Sequence, residues 1–256
     1  MSKAIIDSAS DKFGSAIERI QRDLSNQVVD LKNKGYNKEQ ILRILGAIDF
    51  EDYVLNTLNL QGDIEVLLNS YTSILEKMQG FGSVSEAGLQ SLVDIDRTFY
   101  VGECKNFANT IKKELSRGII AGLSENELRD SIFQGFGGIL TKEQAKTIAN
   151  TSLNSYSRSV TELMSENMPE DTEYYYQGAL DDRTRDVCLS MISAGFLTKK
   201  EIESKYPSAF IDGGGYNCRH RWTMVTSTVR DSVKKANSII DSKKSFKPVT
   251  ARGVEI

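Results

Sequence analysis

The chain has 256 residues, 39% of them apolar, a formal net charge of −3 and three cysteines. That length suits one or two domains, the charge supplies no global basic field for wrapping nucleic acid, and three cysteines do not build a secreted disulfide framework. Met1–Ser8 lacks the apolar run of a signal peptide and no stretch approaches the roughly 18 apolar residues of a membrane span, so the expectation is a soluble protein in a reducing cytoplasm with no membrane partner.

Only three prolines interrupt the chain, which favours long helices. Phe13, Ile17, Ile20, Leu24, Val28 and Leu31 recur at steps of three and four. They form one stripe of an amphipathic helix over residues 4–33, which Gly35 ends. Such a helix packs in a bundle or serves as a coiled-coil arm for a partner helix. Asn37 caps the next helix, with Gln40 three residues on, and Ile41, Leu42, Ile44, Leu45 and Ile48 supply its apolar face. A further helical pattern runs over about 52–78 with Gly62 as its expected break, and Gly80–Ser83 reads as a loop. Gly88 weakens a helix over 85–94. Residues 95–117 return to helix with Phe99, Phe107, Ile111 and Leu115 inward, and Cys104 among them reads as a small buried residue. Ser124–Glu127 and Thr141–Gln144 are capping boxes that open two more helices, the second running to about Glu166.

The pattern then changes. Tyr174–Ala179 is β-prone, Asp181 and Asp182 signal a turn, and Thr184–Ala194 suits a short helix. Thr198–Glu201 is a third capping box whose helix Tyr206 and Pro207 end. Arg219–Val225 alternates as a second strand, with Trp222 and Met224 on one side. The fold expected is mainly α with a small C-terminal α+β unit: long amphipathic helices followed by a short two- or three-stranded sheet. The chain divides into an N-terminal helical region (1–80), a helical region leading to the motif (81–170), the α+β unit (171–225) and a basic helix and tail (226–256).

Two of the cysteines (Cys188, Cys218), the only histidine (His220) and the only tryptophan (Trp222) fall inside the α+β unit. Three readings stay open. Cys188, Cys218 and His220 are zinc-ligand types; Asp181 or Asp212 would have to supply a fourth ligand. Cys188 and Cys218 alternatively form a disulfide, as an extracellular particle permits. Otherwise both are packed thiols. A catalytic set is not assembled: Cys218 and His220 stand two residues apart, without the third group that orients a nucleophile's base. Gly213–Gly215 is not followed by the Lys-Ser/Thr of a phosphate loop.

Ala145, Ile148, Ala149 and Thr151 open one helix; then come Asp181, Arg183, Thr184, Cys188, Gly195, Gly214, Gly215, Asn217, Cys218 and Arg219. In order and spacing this resembles the phage minor head protein family, the Mu F-like or SPP1-type head morphogenesis group, over about residues 141–225. The chain departs from the family pattern at Asn150 and Ser152, at Gly215 in place of a histidine, and at His220 in place of the last cysteine. The resemblance implies a structural protein of the virion, made in the host cytoplasm and sited at the portal vertex of the phage head, with no catalysis of its own. Its implied partners are the portal protein, the major capsid or scaffolding protein, and packaged DNA.

The last segment, Thr226–Ile256, carries seven Lys/Arg against three acids. Arg230, Lys234, Lys235, Lys243, Lys244 and Lys247 are the expected DNA contacts, through phosphates; the alternative is a solvated terminus. The competing function is a metal-dependent nuclease or phage-delivered toxin using Asp181, Cys218 and His220.

Overall fold

The computed structural model describes residues 2–78 and 85–225. The loop expected at Gly80–Ser83 and everything from Thr226 onward lie outside the described residues. In chain order the helices are α1 (Ser2–Asn33), α2 (Lys38–Ala47) and α3 (Phe50–Asp52), which continues as a π-helical turn (Tyr53–Thr57). Then come α4 (Leu60–Met78), α5 (Glu86–Ala121), α6 (Glu125–Phe133) and α7 (Lys142–Ser165). The remainder is β1 (Glu173–Gln177), α8 (Asp186–Ser193), β2 (Phe196–Thr198), α9 (Lys199–Lys205), α10 (Ala209–Asp212) and β3 (Arg221–Met224). The chain is therefore mainly α with a small three-stranded antiparallel sheet near its C-terminal end.

Two compact units form. One comprises Lys3–Tyr71 with Ser91–Asn150, and the other comprises Thr72–Gln90 with the chain from Thr151. In the first, the α1 stripe of Phe13, Ile17, Ile20, Leu24 and Val28 is buried. Gln21, also buried, donates from Nε2 to the carbonyls of Ile132 and Leu140 at 3.3 and 3.0 Å, which satisfies its amide away from water. The expected capping boxes at Asn37 and Ser124 both form.

Three expectations for the helices need correction. The chain breaks at Asn59, whose φ is +59°, and Gly62 lies inside α4. A Cβ at Gly62 would sit 2.5 Å from Asn59 Oδ1, so this glycine makes room for the turn before it. α5 passes through Gly88 because Ser85 precedes it as a cap, accepting from the Gly88 N–H at 3.4 Å; such a cap offsets the ~1 kcal/mol helix penalty of glycine. Phe99 is 44% exposed, since the buried face of α5 runs through Tyr100, Cys104, Phe107, Ile111 and Leu115. One helical residue is a 100° step, which puts Phe99 on the flank of that face, edge-on to Tyr100.

The second unit carries the sheet. β1 is the central strand, with Tyr174 opposite Leu197 of β2 and opposite Met224 of β3. Tyr174, Tyr175 and Tyr176 are all buried, and they share a core with Met191, Ile192, Ile202, Tyr206, Phe210 and Trp222. Thr198 ends β2 and at once caps α9, in the expected capping box with Glu201.

Candidate functional site

The site lies within the second unit and draws on four elements. β1 presents Tyr176 and α8 presents Cys188. The glycine loop after α10 delivers Cys218, and His220 enters just before β3. Cys188, Cys218 and His220 are 1%, 2% and 3% exposed, so none is a surface group. The loop follows this path because Gly213 adopts φ +59° and ψ −132°, a region closed to residues with a side chain. Gly214 approaches the sulfurs so closely that a Cβ there would stand 2.5 Å from Cys188 Sγ.

The two sulfurs are 3.7 Å apart. Cys218 Sγ also receives the Gly214 N–H at 3.2 Å and lies 3.3 Å from Tyr176 Oη and 3.9 Å from His220 Nδ1. These contacts set the protonation. The hydrogen bond with Cys188, reinforced by those from His220 and Tyr176, lowers the Cys218 thiol below its ordinary value. The same hydrogen bond, with burial, raises Cys188. Burial raises Tyr176 well above the phenol range, so it stays protonated. The Cys218 sulfur thus stands within hydrogen-bonding reach of Cys188 Sγ, Tyr176 Oη and the Gly214 N–H. His220 stacks on Tyr176 with 14° between the ring planes. Its Nε2 is buried and has no hydrogen-bond partner among the described residues. The ligand atoms of Cys188, Cys218 and His220 lie within 4.8 Å of one another, and no carboxylate among the described residues joins them. Asp181 and Asp212, considered as a fourth ligand, stand outside that group.

Asp181 has another partner. Arg219 grips its carboxylate with both guanidinium nitrogens at 2.6 Å, a two-pronged pair of the strong, geometrically specific kind. Asp181 Oδ1 accepts the Arg183 N–H at 3.0 Å, and the Thr184 hydroxyl accepts the Asp181 N–H at 2.9 Å while donating to the Ala179 carbonyl at 2.8 Å. The Arg219 fork holds the Asp181 carboxyl well below the usual carboxylate range. The acid, the threonine and the second arginine of the motif therefore form one local network, whereas the Arg183 side chain is exposed. Gly195 closes α8 in the left-handed conformation at φ +79°; Gly215 and Asn217 hold φ of +93° and +54° in the glycine loop. Trp222, with no exposed surface, packs against Tyr176 and Tyr206.

Two contributors were not singled out by sequence reasoning. Arg158 of α7, 4% exposed, donates from Nε to the Ile211 carbonyl and from Nη1 to the Cys218 carbonyl at 3.0 Å. It pins the start and the end of the glycine loop, and its burial lowers its own pKa. Its signal was available: it is the only charged residue between Lys146 and Glu162. Gly178 is the other; a Cβ there would stand 2.5 Å from His220 Cδ2, so its bare backbone fixes the imidazole from one side.

Of the three residues named for a nuclease or toxin, Asp181 pairs with Arg219, and Cys218 and His220 are buried. Arg230, Lys234, Lys235, Lys243, Lys244 and Lys247, the expected DNA contacts, lie outside the described residues. No described helix is long and apolar enough to cross a membrane. Set beside protein-family models, curated proteins and solved structures, the chain matches none of them.

Proposed function

We propose that this chain is a structural minor head protein of a tailed phage, associating with the portal vertex and acting in head assembly, DNA packaging or genome ejection. One observation supports this reading above the others. The residues that carry the resemblance are partners of one another: Asp181 of Arg219, Thr184 of the Asp181 turn, Cys188 of Cys218. Polar groups committed to each other in this way stabilise a scaffold, as a structural module requires. The partners under this proposal are the portal protein, the major capsid or scaffolding protein, and packaged DNA engaged through the basic segment beyond Thr226.

The test is co-expression of the full chain with the portal protein encoded in the same genome, followed by gradient sedimentation and stoichiometry. Co-migration at a fixed ratio is the expected result. A chain that sediments alone in the presence of both portal and procapsid overturns the proposal.

A further inference from the structure

We propose that Cys188, Cys218 and His220 form a binding site for one zinc-class divalent ion, with a water molecule as the fourth ligand. The inference stands on the cluster alone and holds or fails independently of the head-protein reading.

The spacing fits a tetrahedral thiolate site. With metal–sulfur bonds of about 2.3 Å and a metal–nitrogen bond of about 2.05 Å, ligand sulfurs stand ~3.8 Å apart and a sulfur–nitrogen pair ~3.6 Å. The observed separations are 3.7 Å between the sulfurs and 3.9 Å from Cys218 Sγ to His220 Nδ1. The three ligand atoms all lie within 4.8 Å of one another, so an ion needs small shifts along the two Cys218 edges and an approach of the imidazole to Cys188 by up to about an ångström. A disulfide, at about 2.05 Å, needs the sulfurs of two different elements to close by more than 1.5 Å.

The surroundings point the same way. Buried polar atoms ordinarily find partners, yet His220 Nδ1 reaches only a sulfur, at 3.9 Å. Packed thiols leave that nitrogen poorly satisfied, whereas a metal on Nδ1 uses its lone pair; the Nε2–H stays without a partner among the described residues. Tyr176 and Gly178 fix the ring from its faces. The Gly214 N–H at 3.2 Å and the Tyr176 hydroxyl at 3.3 Å are directed at Cys218 Sγ, and donors of this kind surround metal-bound thiolates and orient them. Three protein ligands are present and no described carboxylate completes the set, which leaves the fourth position to solvent. On binding, the ion forms bonds to both sulfurs as thiolates and displaces the thiol protons, which leave to solvent, and no oxidant or reductant is involved. The ion would tie α8, the glycine loop and the entry to β3 at one point.

The experiment uses the full chain purified under reducing conditions from zinc-supplemented cells. Metal per chain is measured by mass spectrometry, thiols are titrated after chelation, and the apo protein is titrated with cobalt(II). We expect one zinc per chain, three titratable thiols after chelation, and a cobalt–thiolate charge-transfer band with the visible bands of tetrahedral cobalt. Cys218→Ser and Cys188→Ser should each weaken metal binding at least tenfold, and Cys104→Ala should leave it unchanged. The inference is overturned by wild-type protein lacking stoichiometric metal and cobalt–thiolate bands, by a Cys188–Cys218 disulfide in freshly isolated protein, or by metal content that survives both cysteine substitutions. The wild-type measurements decide the matter even if a variant does not fold.

Discussion

Gly214→Ala is the sharpest probe of how the glycine loop seats on the cysteine pair. Gly214 does not occupy the left-handed region, so alanine suits its backbone and the whole effect is steric. The added Cβ would stand 2.5 Å from Cys188 Sγ, and 3.4 Å from both Cys218 Sγ and Val187 Cγ1. Ordinary non-bonded contact is about 3.5–4.0 Å, so the first of these is short by roughly an ångström. Cys188 cannot swing away: its side chain is short, 1% exposed, and mounted on α8 between the sheet and the loop. Either α8 or the loop must move, and overpacking of this kind costs about 1–3 kcal/mol. The assay is urea unfolding of the reduced, metal-free chain followed by Trp222 fluorescence. That residue is the only tryptophan and is fully buried in the second unit, so its emission reports that unit. Removing the obstructing atom supplies the control. Gly214→Ala in a Cys188→Ala background should cost less than the two single changes added together, by about 1 kcal/mol or more. A Gly214→Ala protein within ~0.5 kcal/mol of wild type, or strict additivity, would refute the reasoning.

Other outcomes follow from the same unit. Arg219→Lys replaces a two-pronged grip on Asp181 with a single point charge. Asp181 keeps 39% of its side chain exposed, solvent screens the pair, and the loss should be ~1 kcal/mol at neutral pH. Because the fork depresses the folded pKa of Asp181, that contribution is complete above the unfolded value near 3.9 and disappears as pH falls through the folded one. The stability gap between wild type and Arg219→Lys should thus be flat above about pH 5 and close on acidification below about pH 4, as read by denaturant titration. Arg158→Met leaves the Ile211 and Cys218 carbonyls without their donor and should cost about 2–4 kcal/mol in the same fluorescence assay. Thr198→Ala removes the α9 cap and should cost ~1 kcal/mol, with a loss of helical circular dichroism confined to that short element.

Where local rules dominate, the sequence was legible. Asn37, Ser124 and Thr198 each announced a helix start through a residue pair three apart, because a cap is a contact between near neighbours. The two expected strands, at Tyr174 and Trp222, were visible from aromatic residues suited to a pleated surface. β2 was not, since Phe196–Thr198 is three residues long and its last member also caps α9; no alternation exists over so short a run. Phe99 was misplaced because neighbouring aromatic positions 99 and 100 compete for one face, and only packing decides between them. Within the site, residue type identified Cys188, Cys218 and His220, but not the roles of Tyr176, Gly178 and Arg158. Their contributions come from contacts 42 to 60 positions distant in sequence, or from the absence of a Cβ, and periodicity carries neither.

The motif acquires a single physical meaning once its two halves are seen together. Asp181 and Arg219 are 38 positions apart, and Cys188 and Cys218 are 30 apart. The first pair fastens the segment between them at its base, and the second fastens it again closer to its middle. Closing a loop costs entropy that grows only logarithmically with its length, so the first fastening carries most of the cost. Once Arg219 holds Asp181, the link left for Cys188 and Cys218 to close is short at both ends: six residues lie between Asp181 and Cys188, and none between Cys218 and Arg219. The fork then determines where the sulfurs meet, and an ion shared by them would hold what the fork has already brought close. This order of dependence gives the acid, the arginine and the cysteines one structural role: each makes the next contact cheaper to form. It also separates the two fastenings experimentally. Loss of the fork should weaken metal binding as well as folding, whereas loss of the metal should leave the Asp181–Arg219 pair in place.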